Sequence, residues 1–267
     1  MAMNHRFDLS KMRTEYTGRI VGYFLAVGDG EVHLNDLIGK RIKLTYNGKI
    51  HCKCCGSLTR KSYAQGFCYN CYLTSPEAEE CVLNPEKCKA HLGVARDIEY
   101  SRAHCLIPHY VYLSVTSGVK VGVTRHTQMP TRWIDQGASQ AIVLAETPNR
   151  HIAGLIEVYL KNYYNDKTLW SKMLLGSVGD DIDLLSEKDK AAALLPPVMQ
   201  PLVRVSSQVM HIHYPVLEYP TKPINVDLEK QPIFEGELTG IKGQYLIFGQ
   251  SVLNIRRHTG YGVQLCY

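Results

Sequence analysis

The sequence predicts an α+β fold: a small mixed sheet-and-helix domain preceded by a zinc-ribbon-like Cys-rich module, with β-rich N- and C-terminal pieces forming one small barrel. Three observations predict it. Eight of the nine cysteines fall between Cys52 and Cys105, short apolar runs broken by Gly and Asn turns fill both ends, and a helical apolar period appears only in the middle. With 267 residues, 45% of them hydrophobic and 21% charged, the chain has core enough for one large or two to three small domains, and disorder is excluded.

Residues 1–50 form the β-rich N-terminal piece. The runs RIVGYFLAV, EVHLNDLI and RIKLTY alternate with the turns GDG and NG, which is the pattern of strands and hairpins. The C-terminal piece, 201–267, repeats the style, and Tyr23 to Asn35 aligns loosely with Tyr245 to Asn254. Either end alone has few strands for independent stability, so the two are expected to pair in one barrel. Seven prolines between Pro196 and Pro232 predict extended surface segments leading into the last strands.

Residues 51–106 form the Cys-rich module. The start MAMNHRFDLSKMRTEY lacks an apolar signal core, and the longest apolar stretch, Ile20 to Val27, is far below the roughly 18 residues of a membrane span. A cytoplasmic protein with no membrane partner is expected, and in a reducing compartment clustered cysteines favour metal over disulfides. Cys52, Cys55, Cys68 and Cys71 give two C-x2-C knuckles twelve residues apart, the donor set of a tetrahedral Zn²⁺; Cys54 is left as a spare thiol. Cys81, Cys88, His91 and Cys105 supply a second set, with His104 an equally available nitrogen. No open coordination position is readable, so both sites are expected to be structural.

Residues 107–175 change pattern again. Tyr110 to Val115 and Val119 to Thr124 are strands joined by the turn TSG; Pro130 to Gln136 is a short helix stopped by Gly137; Ala141 to Glu146 is a third strand. Thr147 and Pro148 are expected to cap a helix whose apolar stripe runs Ile152, Leu155, Ile156, Tyr159, Leu160 and Tyr163. Residues 176–200, with Asp180, Asp181, Asp183, Glu187 and Asp189 against Lys188 and Lys190, are expected to be an acidic helical linker. Elsewhere the balance is mildly basic, for a net charge of +5, which allows nucleic-acid binding without demanding it.

The strand pair in PHYVYLSVTSGVKVGVTR, with an arginine in PTRWIDQGA and a glutamate in AGLIEVYLK, resembles the catalytic core of the GIY-YIG nuclease superfamily. The wider chain, from MRTEY through CYNCY and KVGVTRHTQMPTRWIDQGA to GIKGQYLIFGQSVLNIRRHTGY, is similar to the bacterial family called domain of unknown function 2797. The first resemblance implies a nuclease site in which Tyr112 ends the Gly-Ile-Tyr-like tripeptide, Lys120-Val121-Gly122 stands for Tyr-Ile-Gly, Arg132 is the helical arginine and Glu157 the helical glutamate. Tyr110 and Lys120 depart from that pattern, and Lys120 replaces a tyrosine as candidate base.

Each residue type suits phosphodiester hydrolysis of DNA or RNA. Glu157 could hold a Mg²⁺ or Mn²⁺ ion, Arg132 offers the phosphate a guanidinium fork, Tyr112 or Lys120 could orient or deprotonate water, and His126 is a spare proton carrier close to the same strand end. Two alternatives stay open: a non-catalytic zinc-containing nucleic-acid-binding protein with a degenerate site, and a protein-interaction scaffold organised by zinc. In the non-catalytic readings, Tyr112 is plain strand packing, Lys120 and Arg125 are solvated strand-edge residues, Glu157 is an ordinary residue bordering the helix's apolar stripe, and Arg132 and Trp133 form an Arg–aromatic pair that stacks on a base without cutting.

Overall fold

The computed structural model describes residues 3–176, 181–205 and 208–267, and Asp180 lies outside them. Its contacts divide the chain into two compact units: Met1–Leu73 with Leu174–Gly176 and His213–Tyr267, and Thr74–Met173 with Ser177–Ile212. The boundary at Leu73 cuts through the segment read from sequence as a single Cys-rich module. Residues 51–73 belong with a sheet, through the pairing of Leu58–Thr59 onto Arg41–His51, whereas 74–106 fold beside a helix of the second unit.

In the first unit the two chain ends share one antiparallel sheet. Asn4–Asp8 pairs with Tyr261–Cys266, that strand pairs with Arg41–His51, and Ile233–Glu237 lies on the far side of Arg41–His51. Alternation along Arg41–His51 buries Ile42 and Leu44 and exposes Arg41 and Lys43, as a sheet with one covered face requires. The expected closed barrel does not form. The remaining strands of the unit make two further sheets, one of three strands from Arg13–Glu15 to Gly30–His33 and one of four built on Gly240–Lys242, Tyr245–Phe248, Ser251–Asn254 and Ile224–Asn225. The two loosely similar stretches are both hairpins with two-residue turns, led by Gly28 at φ 59° and Gly249 at φ 60°, a backbone that glycine adopts without strain. They sit in different sheets, so local similarity produced equivalent hairpins without closing a barrel.

The second unit is built on an antiparallel sheet in the order Met210–His211, Gln140–Thr147, His109–Val115, Val119–Arg125. Val111, Leu113 and Val115 of the central strand are fully buried on the face covered by Ala153, Ile156 and Leu160 of the helix Arg150–Leu160. That helix is capped two residues later than expected. Asn149 accepts from the Ile152 amide at 3.0 Å, while Thr147 stays in the strand and its hydroxyl donates to His109 O and Asn149 O. The buried face is also rotated from the expected stripe, taking in Gly154 and Glu157 and leaving Leu155 and Tyr163 exposed. The cause is the short helix Pro85–Lys87, which packs so closely that a Cβ on Gly154 would collide with the backbone of Pro85 and Glu86. Within the segment expected to be an acidic helical linker, the described helix Leu184–Leu194, capped by Asp183, is part of the core and not a linker: it adds Leu184 and Ala191 to it, and Lys188 is buried with its ammonium donating to Arg204 O and Val205 O.

Candidate metal centres and active site

Two backbone turns build the first centre. The Gly56 amide bonds back to Cys52 O at 2.8 Å with Gly56 at φ 71°, a left-handed turn that brings Cys52 and Cys55 together. Cys68 precedes the helix Tyr69–Thr74, whose first turn returns Cys71 beside it, with the Cys71 amide 3.5 Å from Cys68 Sγ. The four Sγ atoms all lie within 4.8 Å of one another, and this set could hold a metal ion. Hydrogen bonds from the Ser57 hydroxyl, then from its amide, pull the Cys55 thiol down to about 6, while Cys55 and Cys68 push Cys71 up. Four thiols this close cannot all ionise without a cation among them, and four sulfur donors in a compact set suit Zn²⁺. Cys54 is exposed and outside the set.

Cys81, Cys88 and Cys105 form a second set, all buried and within 4.8 Å of one another, which could also hold an ion. Neither expected histidine joins it. His91 is exposed and stacks on His151 at 4.5 Å, and His104 stacks on Tyr100 at 3.8 Å with its Nδ1 on Tyr100 O. A histidine that motif spacing did not single out, His109, is buried to 1% exposure; its Nδ1 meets Ile107 O at 2.8 Å, and its Nε2 has no hydrogen-bond partner among the described residues. Arg150 ties this module to its helix, donating to Cys81 O and His104 O while its amide bonds Cys105 O.

The candidate catalytic residues come from four elements of the same unit. Tyr112 and Gly122 are direct cross-strand partners, and the fully buried tyrosine donates its hydroxyl to Gln136 Oε1 at 2.8 Å while its ring meets Trp133 edge-on. Arg132 and Gln136 are supplied by the short helix Thr131–Asp135 and its end. Lys120, on the neighbouring strand and 4% exposed, donates to Asp166 O at 3.2 Å. Glu157, 8% exposed, faces Lys161 at 3.7 Å, and Lys161 also meets Asp166 at 3.4 Å.

The charges act on one another. Burial, then the Arg132 cation, pushes Lys120 down to about 8, against the pull of Glu157 and Asp166. Burial raises Glu157, with Lys161 and Lys120 opposing. Burial also raises Tyr112, with Arg132 opposing. Asp166, Lys161 and Gln136 are the members that motif reading missed: Gln136 and Lys161 lie within the quoted segments PTRWIDQGA and AGLIEVYLK but at positions to which the motif gives no role, and Asp166 lies beyond them. His126 stands apart: it is exposed, bonded to Pro108 O, and six residues along the strand from Lys120, about 20 Å at roughly 3.3 Å per residue.

Fold and sites together define an α+β protein with two cysteine-built candidate metal centres and a cluster of buried Tyr112, Lys120 and Glu157 with half-buried Arg132. The chain belongs to the family described as a protein of unknown function, DUF2797, whose model matches residues 39–263 and so includes both cysteine sets and the cluster. No curated protein and no solved structure matches the chain. Among the described residues, no helix is long and apolar enough to cross a membrane.

Proposed function

We propose that the chain is a nucleic-acid-binding protein whose second unit is a GIY-YIG-like, divalent-metal-dependent endonuclease that hydrolyses phosphodiester bonds. One observation carries this reading: two strands and two helices supply Tyr112, Lys120, Arg132 and Glu157 to one region, where Lys120 donates to Asp166 O at 3.2 Å, Lys161 faces both Glu157 and Asp166, and Arg132 and Glu157 each act on Tyr112 and Lys120. Chance packing rarely gathers a buried lysine, a half-buried guanidinium and a buried carboxylate into one group. The antiparallel sheet and its strand–strand–helix–strand–helix order agree with what the resemblance implies.

In the reaction a water oxygen bonds to phosphorus as one ester P–O bond breaks, one proton leaves the water and one is returned to the departing oxygen. Lys120, held near neutrality by burial, takes the water's proton. Arg132 clamps the phosphate and offsets charge developing on its oxygens. Tyr112 acts as a positioning residue, because its hydroxyl is committed to Gln136 next to Arg132. Glu157 and Asp166 are hard oxygen donors that both face Lys161, and they would hold a Mg²⁺ or Mn²⁺ ion. When bound, that ion supplies positive charge to the phosphate.

The test is incubation of the zinc-loaded chain with labelled single- and double-stranded DNA and RNA, with and without Mg²⁺ or Mn²⁺, beside Glu157→Gln. Metal-dependent cutting by the wild type that Glu157→Gln loses supports the enzyme. Salt-sensitive binding with no cutting by either protein favours the alternative of a binding protein with a degenerate site, a reading to which the burial of Tyr112 and Lys120 lends weight. Absence of any salt-dependent binding favours the zinc-organised scaffold.

A further inference from the structure

We propose that the first cysteine module is a docking surface for single-stranded nucleic acid, with bases stacking on Tyr63, Tyr69 and Tyr72 and phosphates met by Lys53, Arg60 and Lys61. This rests on the nucleic-acid part of the proposed function and is independent of the catalytic part.

Charge is the first argument. Residues 37–76 contain Lys40, Arg41, Lys43, Lys49, Lys53, Arg60 and Lys61 and no aspartate or glutamate, whereas the whole chain holds 30 basic against 25 acidic residues. Arg41 is matched by Glu235 at 2.6 Å, but Lys53, Arg60 and Lys61 are exposed on the module itself. Glu235 and Glu237 lie opposite Lys43 and Arg41 across the sheet, so the positive charge that the module itself presents is that of the exposed Lys53, Arg60 and Lys61, in a chain whose net charge is modest.

The rings are the second argument. Tyr69 is 58% exposed and Tyr72 37%, and both lie against Tyr63, at 5.3 Å and 5.8 Å between centroids, the latter pair nearly parallel at 22°. Lys61 Nζ stands 5.3 Å from the Tyr63 ring centre, and Lys53 Nζ 4.1 Å from that of Phe67. Rings that served only to fold the module would be buried, as Phe67 is at 1% exposure. Aromatic faces interleaved with cations are the pattern that captures single strands, because every unpaired base offers a face and every linkage a negative charge.

Preorganisation is the third. Tyr63 and Phe67 exchange backbone hydrogen bonds at 2.9 Å across a tight loop that keeps Ala64 and Gln65 at positive φ, and Tyr69 and Tyr72 share a face of the helix that carries ligand Cys71. The cysteine knuckles thus hold the rings in place before any strand arrives, which lowers the ordering cost of binding. An acidic peptide would match the charge but leave the ring faces without planar partners, and a duplex hides its base faces within its own stack.

The experiment uses the full, zinc-loaded chain in magnesium-free buffer and follows fluorescence anisotropy of labelled oligo-dT, oligo-U, a duplex and poly-glutamate. Tyr69→Ala and Tyr72→Ala should each weaken single-strand binding roughly ten-fold, Tyr69→Phe should restore it, and Lys61→Ala should flatten the salt dependence. Unchanged zinc content and circular dichroism show that the variants fold. If the wild type binds single strands but Tyr69→Ala and Tyr72→Ala bind equally well, the platform alone falls and the nuclease reading is untouched. If poly-glutamate binds more tightly than oligonucleotides, or no oligonucleotide binds, the proposal is overturned together with the nucleic-acid reading.

Discussion

Tyr112 and Gly122 face each other across the hairpin, and the tyrosine hydroxyl lies 2.6 Å from the point where a Cβ on Gly122 would stand. The glycine therefore makes room for the ring that donates to Gln136. Gly122→Ala should destabilise the chain by about 1–3 kcal/mol through overpacking. Urea unfolding measures it; an unchanged midpoint would mean that the ring has space to move aside.

Gln136 is the counterpart of that pair on the helix side. Gln136→Leu keeps much of the volume but leaves the buried Tyr112 hydroxyl without its acceptor, at a cost of about 1–3 kcal/mol. The double variant Tyr112→Phe with Gln136→Leu should recover most of that loss, because both partners of the bond are then apolar. Urea midpoints of the single and double variants decide it, and equal losses in both would sink the argument.

Much of this architecture was legible because local signals were sufficient. Knuckle spacing identified Cys52, Cys55, Cys68 and Cys71, and a 3.6-residue period identified the Arg150–Leu160 helix. The barrel was misread because hairpin sequences such as Tyr23–Asn35 and Tyr245–Asn254 specify their own turns and not the sheet they join. The helix cap moved from Thr147 to Asn149 because both types accept amide hydrogen bonds and only the strand's length decides between them. The burial of Lys188 was not legible in the expected acidic linker because nothing local announces the Arg204 and Val205 carbonyls that receive its ammonium. Lys161 joins Glu157 as a local i,i+4 pair at the helix end, whereas Asp166 entered the cluster through folding of the chain beyond the helix.

The metal centres should be separable by mutation. Elemental analysis of the purified chain is expected to give two zinc equivalents, one per thiol set. Cys68→Ser should remove one and leave the Cys81 set filled, whereas Cys88→Ser should do the reverse. Loss of both ions in either variant would mean that the two sets do not fold independently. A chelator should lower the melting temperature of the wild type, since metal that binds only the folded state stabilises it by mass action.

Lys120 sets the expected pH dependence. Its neighbours in charge are Arg132, which shares the sense of burial's downward push, and Glu157 and Asp166, which oppose it while themselves engaged by Lys161. A base must be neutral to accept a proton, so with Lys120 near 8 the cleavage rate should climb about ten-fold per pH unit below 8 and level off above it. Stability follows the same group with a definite sign: the folded pKa lies below the unfolded value, so between about 8 and 10 the unfolded chain binds the extra proton and the folded state gains as pH rises. Lys120→Met should abolish both the rate limb and this rise in the urea midpoint. A rate limb that survives in Lys120→Met would assign the proton transfer to another group.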